Sequence, residues 1–296
     1  MPCFELFIHG PNRKAVAPSV CRILSWRTLS LGLSIVLTVG LALGLLACAA
    51  PASPTALDTL SPKAWTDTQE RAQRRLVLAL AYFEQGQNEV ALQEVRAALK
   101  IDPTHAPAYN LLGLLHQTNQ APALAEQSFA ASIYWAKQQG QGADLADAQH
   151  NLGWLLCEQG AYARAQAEFE HALQQPLYRQ QAKTHLTSGL CHSRAGQADA
   201  ARAHWQQALA FDPANPAVRY QWALMEWQSR PEVADNLLAP LHAQQLGNAE
   251  SLWLGVRVAR ALDKRDAMQQ LGQQLQQRYP HSVQTQAWIQ RKFDPQ

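Results

Sequence analysis

The chain has 296 residues, 47% of them hydrophobic and 16% charged, with a formal net charge of +2. Four basic residues and one acidic residue fall within positions 1–47; taking them from 25 and 23 leaves 21 basic against 22 acidic residues over 48–296. That near-neutral balance speaks against nucleic acid or a polybasic membrane patch as partner, and the length admits one long solenoid or two compact domains.

Arg13, Lys14, Arg22 and Arg27 precede an apolar run from Leu29 to Ala47 that ends in Leu45-Leu46-Ala47-Cys48. Leu at −3, a small residue at −1 and then Cys is a lipobox, so residues 1–47 are expected to be a lipoprotein signal peptide. Cys48 would then be the lipidated N-terminus, with acyl chains that make membrane anchoring stable. The run is also just long enough to span a bilayer. Its glycine-containing interior and lipobox ending favour cleavage over an uncleaved anchor. The stretch before the run is long for a leader, which leaves a start codon downstream of Met1 open. Ala49 and Ala50 follow the cysteine without the Asp that retains such proteins in the inner membrane. The expected location is the outer membrane, lipid-anchored and facing the periplasm.

Residues 48–71 are expected to form a flexible tether, rich in Pro, Ala and Ser and too poor in apolar surface to order itself. From Ala72 to residue 292 the chain repeats at about 34 residues. Ala79, Gly113, Gly153 and Gly189 recur as the small eighth position, and Ala91, Ala125, Ala165 and Ala201 as the small twentieth. Phe129, Phe169 and Trp205 follow four residues later, expected to fill the gap to the next repeat. Gly86, Gly160 and Gly196 mark turns, where a positive φ is cheap for glycine. Asp102-Pro103 and Asp212-Pro213 end second helices. Residues 216–247, with Arg230-Pro231 in place of the glycine, and 248–281 are degenerate units of the kind that cap a solenoid. The extra residues from Lys137 to Asp144 predict an extended turn or longer helices. The fold class is therefore all-α: a right-handed superhelical solenoid of about six tetratricopeptide (TPR) helix-turn-helix repeats.

Beyond the leader and Cys48, two cysteines remain, Cys157 and Cys191. Neighbouring packed helices stand about 8–10 Å apart, whereas a disulfide needs Cα atoms within about 7 Å. The expectation is two unpaired, buried core residues.

The chain resembles the type IV pilus biogenesis/stability TPR lipoproteins, the PilF/PilW family. The likeness is carried by Asn151-Leu152-Gly153-Trp154-Leu155-Leu156-Cys157-Glu158-Gln159-Gly160, by Ser188-Gly189-Leu190-Cys191 and by Ala249-Glu250-Ser251-Leu252-Trp253-Leu254-Gly255-Val256-Arg257. Leu275-Gln276-Gln277-Arg278-Tyr279-Pro280 and Ala172-Leu173-Gln174-Gln175-Pro176-Leu177-Tyr178 are similar as well. The resemblance implies six TPRs and an outer-membrane pilotin that helps the pilus secretin localise and multimerise. It transfers no binding residue.

No zinc-protease, nucleophile-elbow, phosphate-loop or Cys-x-x-Cys pattern is present in the sequence. The expectation is a binding protein with no catalytic residue, cofactor, metal or small-molecule substrate. Its working surface would be the groove lined by the first helix of each repeat. By register, Leu76, Leu80, Phe83, Asn110, Leu114, Gln117, His150 and Trp154 should point there. This apolar mix with a few amides suits a hydrophobic peptide strip. Arg75 is the nearest candidate for clamping a terminal carboxylate, and no matching Lys or Asn set follows it. The expected partner is the secretin subunit, with the lipid supplying the membrane contact. The alternative is a general periplasmic TPR lipoprotein that docks peptidoglycan enzymes or envelope assembly factors, since one fold serves many functions.

Overall fold

The first helix, α1 (Asp67–Glu84), starts at a capping box: Thr66 Oγ1 accepts the Gln69 N–H, and Gln69 Oε1 accepts the Thr66 N–H. Two of the orphan N–H groups of a helix start are thereby satisfied. Helix therefore begins ahead of the expected tether boundary at 71, and Ala72 is already fully buried. The structure, a computed structural model, describes residues 66–293. The signal-peptide, Cys48 lipidation and most of the tether expectations lie outside those residues.

Among the described residues twelve helices pair into six hairpins: α1 with α2 (Asn88–Ile101), α3 (Ala106–Thr118) with α4 (Pro122–Gln139), and α5 (Gly142–Glu158) with α6 (Tyr162–Leu173). Then come α7 (Gln181–Arg194) with α8 (Ala198–Phe211), α9 (Pro216–Glu226) with α10 (Pro231–Ala243), and α11 (Ala249–Ala261) with α12 (Arg265–Arg278). A short α13 (Val283–Ile289) packs on both helices of the last hairpin. Its Trp288 sits on Gly272, whose missing Cβ would lie 2.1 Å from the indole. Among the described residues no helix is long and apolar enough to cross a membrane. The extra length around Lys137–Asp144 is taken up by longer helices, with Gly140 at φ 68° turning α4 into α5.

Within a hairpin, the large residue seats on the small one. A Cβ on Gly113 would lie 2.4 Å from the Phe129 ring, one on Gly153 2.8 Å from Phe169, and one on Gly189 2.4 Å from Trp205. The large residue thus fills the space over its own repeat's glycine, not only the gap ahead. Phe129 also belongs to the apolar cluster that includes Leu152, Leu155 and Phe169 of the next repeat, so each ring joins two units.

First helices touch in series, α1 with α3, α3 with α5, α5 with α7 and α7 with α9, whereas no two second helices make a comparable contact. The first helices therefore form the inner side of the curve. No comparable contact links α9 to α11. In that fifth repeat Arg230 stands where repeats one, three and four have a turn glycine, and its guanidinium binds the buried Glu226 carboxylate at 2.6 and 2.7 Å. Arg202 adds a bond at 2.7 Å and Trp222 Nε1 donates at 3.2 Å. Burial alone would raise the Glu226 pKa, but these donors outweigh it and hold the carboxyl below its ordinary value.

Candidate functional site

The inner face is built by the ninth position of each first helix, one residue past the small eighth. Leu80, Leu114, Trp154, Leu190 and Leu224 occupy it in repeats one to five. Leu80 and Leu224 are exposed, at 38% and 40%, and the other three are half-buried. Each is held from below by core packing: Leu114 lies against the clusters of both neighbouring repeats, Trp154 against that of repeat three, and Leu190 against that of repeat four. An apolar side chain recurring at one position of successive first helices makes a surface suited to the apolar stripe of a partner helix or strand.

A polar margin accompanies it. Gln117 Nε2 donates to Glu158 at 2.5 Å, and Asn151 Nδ2 donates to Asn110 Oδ1 at 2.9 Å, each pair bridging repeats two and three. The Arg194 guanidinium lies over the Trp154 ring at 4.7 Å, bridging repeats three and four. Phe83 is half-buried at the first repeat's end of the row. Arg75 is occupied in an ion pair with Glu94 at 2.8 Å, within its own repeat.

Two expected groove residues are interior instead. Leu76 is 3% exposed, packed with Ala79, Leu111 and Leu115. His150 is 4% exposed; its Nδ1 lies 2.9 Å from Thr184 Oγ1, which also pairs with the Tyr178 hydroxyl at 2.7 Å. Both stand at the fifth position, which meets the next first helix; Asn110, at that position in repeat two, does so through its bond to Asn151 at the margin of the face. Asn151, Glu158, Arg194, Leu190 and Leu224 were missed as inner-face residues. The same repeat register, carried through repeats four and five, identifies the two leucines.

Cys157 and Cys191 form a disulfide joining α5 to α7, with Cα atoms 5.8 Å apart. The expectation of unpaired thiols fails because helix spacing is measured between axes. Each Cα stands about 2.3 Å off its axis, so residues on facing sides approach far closer than the axes do.

Burial also governs how the solenoid's histidines titrate. It lowers the pKa of His105, His116, His185 and His242, drives that of His150 well below its ordinary value, and takes His204 to about 4. Below about pH 6.5 the unfolded chain binds protons that these folded imidazoles refuse, so stability falls as pH falls. Asp144 and Asp147, raised by burial, act in the opposite sense, but over the carboxylate range. Melting temperature is therefore expected to decline from pH 6.5 to 5. His204→Phe should flatten that decline, and a melt series across this range checks it.

These features define the class: an all-α TPR solenoid whose chemistry is that of a binding surface. A family model described as TPR repeat matches residues 79–120. The chain is homologous to the type IV pilus assembly protein PilF of Pseudomonas aeruginosa, 28% identical over 249 residues covering 83% of this chain and 94% of that protein. The solved structure of P. aeruginosa PilF matches with a TM-score of 0.64 and 26% identity, over 76% of this chain and 100% of that one. That of PilW, a widely conserved type IV pilus biogenesis factor, matches with a TM-score of 0.64 and 25% identity, over 74% and 98%.

Proposed function

We propose that this protein is a type IV pilus pilotin: a lipoprotein that binds the secretin subunit through its inner TPR face and promotes secretin localisation and multimerisation at the outer membrane. The observation that carries this is the likeness to PilF along nearly its whole length, joined to the apolar residue that recurs at the ninth position of five successive first helices, Leu80 to Leu224. The Leu45–Cys48 lipobox supplies the anchor, and lipidated Cys48 places the solenoid on the periplasmic face. A disulfide between repeats three and four fits an oxidising compartment. Tethering raises the local concentration of bound subunits at the membrane, which favours ring assembly without any catalytic step. The protein acts as a scaffold, not an enzyme.

Two changes test the two halves of this mechanism. Leu80→Glu and Leu224→Glu alter exposed side chains and should leave the melting temperature within about 2 °C. Together they should weaken binding of purified secretin subunit at least tenfold, a loss of about 1.4 kcal/mol. Unchanged affinity would remove the inner face from the interaction. Cys48→Ala should leave the fold intact and strand secretin multimers in the inner membrane. Normal outer-membrane multimers from that variant would contradict the carrier role.

A further inference from the structure

The segment after α13 turns back onto the first-helix face of the last repeat. Arg291 takes φ 55°, in the left-handed region; its N–H bonds Trp288 O, and the Lys292 N–H bonds Ala287 O. That conformation is unfavourable for a residue with a Cβ. The reversal lays Phe293 on Trp253, ring centroids 5.7 Å apart and planes at 16°. Trp288 meets the same ring edge-on at 6.1 Å and 73°, and the Arg260 guanidinium lies 4.5 Å from its centroid. A stacking face, an edge and a cation together form the surroundings that recognise an aromatic side chain.

Trp253 and Arg260 are two turns apart on one face of α11. They hold the sixth and thirteenth repeat positions, which Asn151, Glu158 and Arg194 hold on the inner face of repeats three and four. The core beneath is made by α11 and α12, and Phe293 packs on it from outside. Leu252, Val256 and Leu275 are fully buried, and α13 is fixed by Trp288 on Gly272 and by Thr285 Oγ1, bonded to Leu275 O and Tyr279 O at 3.1 and 2.7 Å. Phe293 is half-buried and lies on top of this core.

We propose that Trp253, Arg260 and Trp288 form an aromatic-recognition slot, with Phe293 as its resident, displaceable ligand. A partner segment bearing an exposed aromatic side chain docks there by replacing it. The slot lies on α11, outside the α1–α9 row, so it stands whether or not the secretin reading holds. Because the resident is on the same chain, its effective concentration is high and it competes strongly with any outside peptide. Removing the Phe293 ring should therefore expose the slot.

The test uses the full chain with Phe293→Ala and, as probe, the hexapeptide Arg-Lys-Phe-Asp-Pro-Gln, the chain's own residues 291–296. The readout is the indole N–H NMR signal of Trp288, which meets the Phe293 ring edge-on and is retained in every variant. The variant should keep its melting temperature within about 2 °C and shift that signal, and the peptide should move it back. The peptide should bind wild type at least tenfold more weakly, and a peptide with Ala in place of Phe should not bind. Adding Trp253→Leu, which keeps an apolar residue on α11, should abolish binding. Failure of the hexapeptide to bind the Phe293→Ala variant would overturn the proposal, as would binding that survives Trp253→Leu. A melting drop of core-deletion size would also overturn it, by making Phe293 part of the core.

Discussion

Trp205→Ala is expected to cost about 3–5 kcal/mol, the range for deleting a buried aromatic ring. Trp205 is 1% exposed, fills the space over Gly189, and donates Nε1–H to Leu186 O at 3.2 Å. The loss removes packing from α7, α8 and the start of α9, since the ring shares one apolar cluster with Leu186, Ala208 and Val218. It also leaves a buried carbonyl without its side-chain donor. In a solenoid each repeat is stabilised chiefly by its neighbours, so the damage should centre on repeats four and five. Calorimetry and amide exchange by segment check this. A melting temperature that falls by less than about 2 °C would contradict the wedge role given to the large residue of each hairpin.

Opening the Cys157–Cys191 bridge should come second, at about 2–4 kcal/mol for a link closing a separation of 34 residues. Both cysteines are buried in the cluster of Phe129, Leu155, Leu156 and Phe169. Replacing both by Ala keeps that cluster apolar and removes mainly the constraint on the unfolded chain. Equilibrium denaturation should give a lower midpoint for the double variant, and reductant should bring wild type close to it. Equal midpoints with and without reductant would show that the bridge contributes nothing to stability. Because the link joins first helices across a repeat boundary, its loss should also raise amide exchange in α5 and α7 ahead of the rest.

Much of this architecture is legible in the amino-acid order because TPR packing imposes chemistry at fixed positions. Gly86, Gly160 and Gly196 take φ of 73°, 77° and 74°, where only glycine is free of strain, so the turns announce themselves. Gln120 and Asp263 adopt the same conformation without glycine, at 57° and 51°, and their turns carry no such signature. The early start of α1 was available in the Thr66-x-x-Gln69 capping box. α13 lies beyond the last repeat, where periodicity has nothing to say. The inner face was legible at the ninth position, because the row is apolar in repeat after repeat. It was not legible at the fifth, where Leu76 and His150 obey the same helical period and yet meet a neighbouring helix. The Cys157–Cys191 pair depends on how closely two helices approach, which is a tertiary distance and not a spacing.

The most direct test of the pilotin account is the state of the secretin in a deletion strain, read as detergent-resistant multimers in fractionated membranes. Wild-type complementation should restore outer-membrane multimers, and the Leu80→Glu/Leu224→Glu protein, expressed at equal level, should not. Multimers absent or confined to the inner membrane without the protein are the predicted result. Normal outer-membrane multimers, with normal twitching motility, would contradict the account and favour a general envelope adaptor.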